Sequence, residues 1–305
     1  MGDLWRFIRC LFKKLAFNEP QVLSFPFRAS LQDLNEVEME ELTFTHWALL
    51  AFASLIMGMS KGGLPGAGNL TVAIFALVLE DALGPVGVPL SVGLLLPVLI
   101  SADVTATLVY RRHADWKFIL RLLPFFLIGT VLGWWVFDFF QAGEDRVKLL
   151  KYVVGGILLG MTALHFIVKA AKKRKQASAD QRKSTEPRGS IILGIFFGLF
   201  GGVATMLANA AGPVAQLYLL AMALPKYAFI GTSAWLFLIV NIAKIPFMIQ
   251  LEIITLESMS VSWWMFIPAV LGAIVAPFIV KFIDQSLFER LVWIFIVIAG
   301  VRMLF

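Results

Sequence analysis

The sequence predicts an all-α polytopic membrane protein of two inverted repeats, about five transmembrane segments each, with broken or re-entrant helices at glycine-rich stretches. Three observations carry that prediction. Of the 305 residues, 59% are hydrophobic and 15% charged, with a mean hydropathy of +0.84; a soluble domain carries about 45–50% apolar and about 25% charged residues. From Thr43 onward, apolar segments follow one another with short interruptions. Landmarks of the first half recur about 140 positions later in the second. The composition excludes an ordinary cytosolic enzyme, a disordered chain and a secreted disulfide scaffold. The lone Cys10 can form neither an internal disulfide nor a cysteine-rich metal site.

Residues 1–43 form an amino-terminal segment distinct from the rest. Leu4, Ile8, Leu11, Phe12 and Leu15 recur at helical spacing, with Arg6, Arg9 and Lys13 on another side, which predicts an amphipathic helix in the membrane interface. Residues 44–168 make the first repeat, with apolar segments near 44–60, 69–83, 86–110, 117–140 and 149–168. Residues 190–305 make the second, with segments near 190–206, 211–224, 227–250, 259–282 and 286–304. A full span needs about 20 apolar residues. The segments at 69–83 and 211–224 are shorter and adjoin stretches bearing Gly and Pro, so they read as half-helices. Between the repeats, 169–189 is a basic loop with eight Lys and Arg residues, placed in the cytoplasm by the positive-inside rule. Counting spans outward puts Arg111, Arg112 and Lys117 on the same side, and Glu80, Asp81, Glu252 and Glu257 on the other.

The repeat sharpens this picture. Gly58-Met-Ser-Lys-Gly-Gly63 resembles Gly198-Leu-Phe-Gly-Gly-Val203, 140 positions on. Asp103 falls opposite Asn241 at an offset of 138, and Pro124 and Gly129 fall opposite Pro268 and Gly272 at 144 and 143. An odd number of segments per half inverts the second half relative to the first, as in many secondary transporters.

Candidate functional residues gather at the interruptions. Ser60-Lys-Gly-Gly-Leu-Pro-Gly-Ala-Gly-Asn69 holds four glycines and a proline and cannot comfortably continue a helix. Irregular backbone at membrane depth must be buried in protein or line a cavity. A helix starting near Gly68 or Asn69 would aim backbone N–H groups and a positive dipole end at an anion, and Lys61 adds a full charge beside Gly62 and Gly63. The competing reading is a cytoplasmic turn whose lysine obeys the positive-inside rule. The partner stretch, Gly201 to Pro213, offers Asn209 as an oxyanion ligand and a Gly212-Pro213 step that can break one helix and begin another; tight packing through small residues is its alternative.

Asp103 lies inside an apolar span, roughly 12 Å from its end at the helical rise, where a carboxylate marks a functional position, often a proton relay, or else a structural pair. Asn241 occupies the equivalent place. Lys244, one turn on, either joins the site or snorkels outward. Thr232 and Ser233 place hydroxyls along the same helix, as ligands or as partners of backbone carbonyls.

His46, His113 and His165 form no metal-ligand spacing. No nucleotide-binding or hydrolase motif appears, and the basic stretch lacks the interleaved aromatics of a nucleic-acid binder. The expected partners are the lipid bilayer and a small anion, with no cofactor.

These residues resemble the sulfite exporter TauE/SafE family. In the first half the resemblance rests on Gly58-x-x-Lys61-Gly62, Leu96-Pro97-x-Leu99 ahead of Asp103, and Tyr110-Arg-Arg-His-Ala-Asp-Trp116. In the second half it rests on Asn209-Ala-Ala-Gly-Pro213, Tyr218-Leu-Leu220, Pro225-Lys226, Gly231-Thr232 and Asn241-x-x-Lys244-x-Pro246. The second half carries only Gly201-Gly202 before Val203, where the family often has a longer glycine signature, and Pro65 interrupts the first glycine loop. The resemblance implies an inner-membrane, multi-pass exporter of sulfite, organosulfonates or similar anions. The candidate substrate ligands, read from the loop chemistry, are Lys61, Gly62, Gly63, Asn69, Asn209, Gly212, Thr232, Asn241 and Lys244, with Asp103, read from its depth in the span, as a proton-coupling group. An uptake permease, an anion channel and, more distantly, a membrane enzyme are the alternatives.

Overall fold

The computed structural model describes residues 42–64, 67–141, 144–178, 191–222 and 224–279, with positions 294, 297, 298 and 301. The amphipathic amino-terminal segment, Pro65 and Gly66, most of the second part of the basic loop, and the segment expected at 286–304 lie outside the described residues. Within them the chain forms α1 (Phe44–Gly62), α2 (Gly68–Leu83), α3 (Gly87–Tyr110), α4 (Trp116–Gln141), α5 (Glu144–Ser178), α6 (Ile191–Ala208), α7 (Gly212–Ala221), α8 (Lys226–Gln250) and α9 (Leu256–Ile279). Short 3-10 turns at Gly84–Val86 and Arg111–His113 flank α3.

The helices follow the apolar segments closely, because in a bilayer each spanning stretch must satisfy its own backbone. The two short segments are indeed short. Helix α2 has 16 residues and α7 has 10, about 24 and 15 Å at 1.5 Å per residue, against a hydrocarbon core of about 30 Å. Helix α5 runs on to Ser178, into the stretch read as a loop from 169. Its Lys, Arg, Gln and Ala residues are good helix formers, so the helix outlasts its apolar part. Gly68–His113, Trp116–Gln141 and Tyr227–Gln250 are long and apolar enough to cross a membrane, and Gly194–Ala208 and Ser262–Phe278 are shorter apolar helices.

The outer surface is apolar where that of a water-soluble protein would be polar. Trp263 and Trp264 are each 67% exposed, and Trp135, Phe139 and Phe278 are exposed as well, while Asp103, Thr232 and Lys244 are fully buried. Large apolar side chains outside and charges inside suit a molecule solvated by lipid. At one end, Lys151 of α5 meets Glu80 of α2 at 2.8 Å.

The two most extensive helix pairings are α4 with α6 and α1 with α9, and glycine makes both possible. A Cβ at Gly58 would overlap the Ala269 carbonyl oxygen, and one at Gly272 the Leu55 carbonyl oxygen. In the other pairing, a Cβ at Gly202 would overlap the Phe126 carbonyl oxygen, and one at Gly129 the Leu199 carbonyl oxygen. Backbones come this close in membranes only where side chains are absent. Gly58→Ala is therefore expected to destabilise the protein by about 1–3 kcal/mol as an overpacking change. Gly160→Ala, whose added Cβ meets nothing within 4 Å among the described residues, should be neutral or stabilising by helix propensity. Thermal unfolding of the two variants in one detergent checks the contrast.

Candidate functional site

Two interruptions bring the polar groups together. Helix α1 ends on Gly63 with φ 137°, a conformation favouring glycine, and the Gly63 N–H donates to the Met59 carbonyl. The chain then returns to start α2 at Gly68, whose N–H donates to Ser60 Oγ at 3.0 Å. Helix α6 ends on Asn209 in the left-handed region, φ 50°; a short amide side chain tolerates this. The Asn209 N–H donates to the Thr205 carbonyl at 3.0 Å and the Ala210 N–H to the Ala204 carbonyl at 3.3 Å, closing the helix as an αL cap does. Helix α7 opens three residues after the cap, at Gly212.

The ionised groups sit beside these breaks. Lys61, in the last turn of α1, reaches Asp103 of α3 with Nζ 2.7 Å from Oδ1. The second carboxylate oxygen accepts from Asn241 Nδ2 of α8 at 2.7 Å. The Lys61 ammonium also lies 4.3 Å from the centre of the Phe237 ring, a cation–π contact of the kind that helps hold a desolvated charge. On the other side, Lys244 Nζ donates to the Thr205 carbonyl at 2.7 Å, to Thr205 Oγ1 at 3.4 Å and to Asn209 Oδ1. Asn209 Nδ2 donates in turn to the Val92 carbonyl of α3 at 2.9 Å. Lys244 is near enough to Lys61 and Asp103 to act on both electrostatically. Four elements thus converge: α1, α3, α8 and the α6–α7 break.

Asn69 completes the arrangement. It is 4% exposed, and its Nδ2 has no hydrogen-bond partner among the described residues. Its side-chain oxygen lies 4.0 Å from where a Cβ of Gly212 would stand, so the first turn of α2 faces the first turn of α7. A buried amide without a partner costs about 1–3 kcal/mol and marks a place where a ligand can supply the missing bond.

Of the residues singled out by sequence, Lys61, Asn69, Asp103, Asn209, Gly212, Asn241 and Lys244 come together here. Lys244 is fully buried and does not snorkel; the C-terminal carbonyl of α6 and the Asn209 amide claim its protons. Gly62 and Gly63 serve the end of α1. Gly62 packs on Ala273 and Ala276, and its carbonyl accepts from Tyr110 Oη at 3.1 Å. Thr232 lies apart, nine residues from Asn241, its hydroxyl accepting from the Asp115 N–H at 2.9 Å. Sequence reasoning missed Thr205, Phe237 and Ser60. Thr205 and Phe237 stand four residues before Asn209 and Asn241, and that spacing on one helix face was the available signal. Among the described residues, no group of three or more His, Cys, Asp or Glu gathers as a metal site would require.

A multi-pass helical membrane protein with its charges gathered where two helices break inside the apolar layer has the build of a membrane transporter. The chain belongs to the sulfite exporter TauE/SafE family, whose family model matches residues 50–303. No curated protein and no solved structure matches it. Membership in this transporter family agrees with a small anionic substrate and a bilayer as its partners.

Proposed function

We propose that the protein is a secondary transporter of the cell (inner) membrane that exports sulfite, organosulfonates or similar small sulfur anions by alternating access. The observation that carries this reading is the meeting of Lys61, Asp103, Asn241, Asn209 and Lys244 between two interrupted helices. Two lysines face one aspartate, so with all three groups ionised the cluster holds one positive charge in excess. An anion between the starts of α2 and α7 would balance it, with the Asn69 amide and the helix N-termini as donors. Lys61 and Lys244 supply the field, and Asn209, Asn241 and Gly212 shape the space.

The moving parts are two inverted repeats. Contacts between the halves come in reciprocal pairs that support this. Gly58 on Ala269 matches Gly202 on Phe126, and Gly272 on Leu55 matches Gly129 on Leu199, at offsets of 143 or 144. These contacts favour an offset of 144 for the first helix over the 140 that motif matching suggests. Gly231 meets the turn after α3 at Tyr110 to Ala114, and Gly93 meets Ile253 in the turn after α8. Asp103 touches Asn241, its counterpart at an offset of 138. Counterparts that touch each other lie near the axis relating two such halves, which supports a role for Asp103 at the contact between them.

Asp103 couples export to protons by changing charge as the pair with Lys61 opens and closes. Asp103→Asn is expected to leave sulfite binding largely intact and to abolish the dependence of flux on a pH gradient across proteoliposomes. Unchanged pH-gradient dependence would end that assignment. Flux without stimulation by substrate on the far side would indicate a channel instead.

A further inference from the structure

Among the described residues, buried polar atoms without partners include Thr107 Oγ1 on α3 and Ser233 Oγ on α8, together with the second side-chain atom of Asn241, its Oδ1. The two helices run antiparallel: Asp103 bonds Asn241, and one end of α3 abuts the start of α8, where Gly231 meets the Tyr110 carbonyl. Thr107 and Ser233 both lie on the stretch between those two contacts. Thr107 is one turn from Asp103, on the same face of α3. Ser233, Phe237 and Asn241 follow at intervals of four on one face of α8, and that face looks onto the ion pair, since Phe237 covers Lys61 and Asn241 holds Asp103. The far end is closed by aromatic rings: Tyr227 lies 6.4 Å from Tyr110 and 5.4 Å from His113, centre to centre. Beyond them Arg111, Arg112 and His113 are exposed.

We propose that this seam carries a short file of water joining Asp103 to the aqueous phase at the Arg111–Lys117 end, with the Thr107 and Ser233 hydroxyls as its ligands. The inference deepens, and rests on, the coupling role proposed for Asp103. A hydroxyl both donates and accepts, so each can hold a water and relay a proton along the file, whereas buried hydroxyls left unpaired in an apolar seam are costly. The charged groups facing Asp103 are Lys61 from α1 and Lys244 from α8. Tyr110, His113 and Tyr227 stand at the mouth, with Arg111, Arg112, Asp115 and Lys117 around it. None of these mouth groups is a carboxylate placed to take over the relay except Asp115, whose Oδ1 accepts from the Lys117 N–H.

The test follows the proton and the anion separately in the full-length protein in lipid. After a pH jump, infrared difference spectroscopy reads protonation of the Asp103 carboxyl, its band assigned by loss in Asp103→Asn. Thr107→Val combined with Ser233→Ala is expected to slow that protonation at least about tenfold, while sulfite counterflow at equal pH stays within about twofold. Thr107→Ser combined with Ser233→Thr, which keeps both hydroxyls, should protonate at the unsubstituted rate. Native-rate protonation in the Val/Ala variant would overturn the proposal, as would equal slowing in the Ser/Thr variant. If protonation slows as expected but sulfite flux ignores a pH gradient even in the unsubstituted protein, the seam stands and the coupling role of Asp103 falls.

Discussion

Lys61→Ala is expected to abolish trans-stimulated exchange of radiolabelled sulfite in proteoliposomes and to destabilise the protein by about 3–5 kcal/mol, the cost of breaking a buried ion pair from one side. The size of the effect follows from what remains. Asp103 is fully buried and keeps only the Asn241 amide among its direct partners, so its carboxylate loses the one cation in contact with it. The Phe237 ring also loses the cation packed over it. Adding Asp103→Asn to Lys61→Ala removes the stranded charge and should recover most of the lost stability, because a neutral buried pair carries no comparable desolvation cost. Exchange should stay lost, since the anion still lacks its cation. Unfolding in detergent and counterflow, measured on the same preparations, separate the two contributions. Full exchange in the single variant would make the ion pair a structural tie and move the anion elsewhere.

Much of the fold is written in the order of apolar segments, because a bilayer leaves a chain few ways to bury its backbone. The breaks at 63–67 and 209–211 are legible because glycine and proline crowd together beside each of them, whereas single prolines such as Pro97 and Pro246 stay inside helices. Asp103 and Asn241 are legible as a pair, since a carboxylate and an amide at matching depth in two halves of one pattern are rare in such sequences. Other features are not. Lys244 stands near a span end, where snorkelling and burial look identical in sequence; only the Thr205 carbonyl and the Asn209 amide decide between them. Thr232 sits in a motif, yet its hydroxyl belongs to the turn before α4, a tertiary contact that no local spacing encodes. Gly198 and Gly202, four apart, offer two equally plausible alignments with Gly58 in the sequence, and only the meeting of glycines with carbonyls favours one of them.

Lys244→Met is expected to lower the apparent affinity for sulfite by about tenfold or more, the loss of one charge-assisted interaction of about 1.5–3 kcal/mol, with a much smaller effect on stability. Methionine fills a similar volume and removes a buried ammonium, which favours the variant. Against this, the Asn209 side-chain oxygen is stranded at a cost of about 1–3 kcal/mol, while the Thr205 carbonyl still accepts from the Asn209 N–H. The opposing effects nearly cancel in folding, but not in anion binding, where the positive charge is simply gone. Lys244 also stands at the C-terminal end of α6, where a cation complements the helix dipole, so the α6–α7 break loosens as well. Asn209→Gly separates charge from geometry: glycine accepts the left-handed backbone, the ammonium stays, and only the amide bonds to Lys244 and Val92 are lost. Sulfite affinity should fall far less in Asn209→Gly than in Lys244→Met if the ammonium acts as a charge. Equal losses in the two variants would mean that Lys244 serves the substrate only by holding the break in shape.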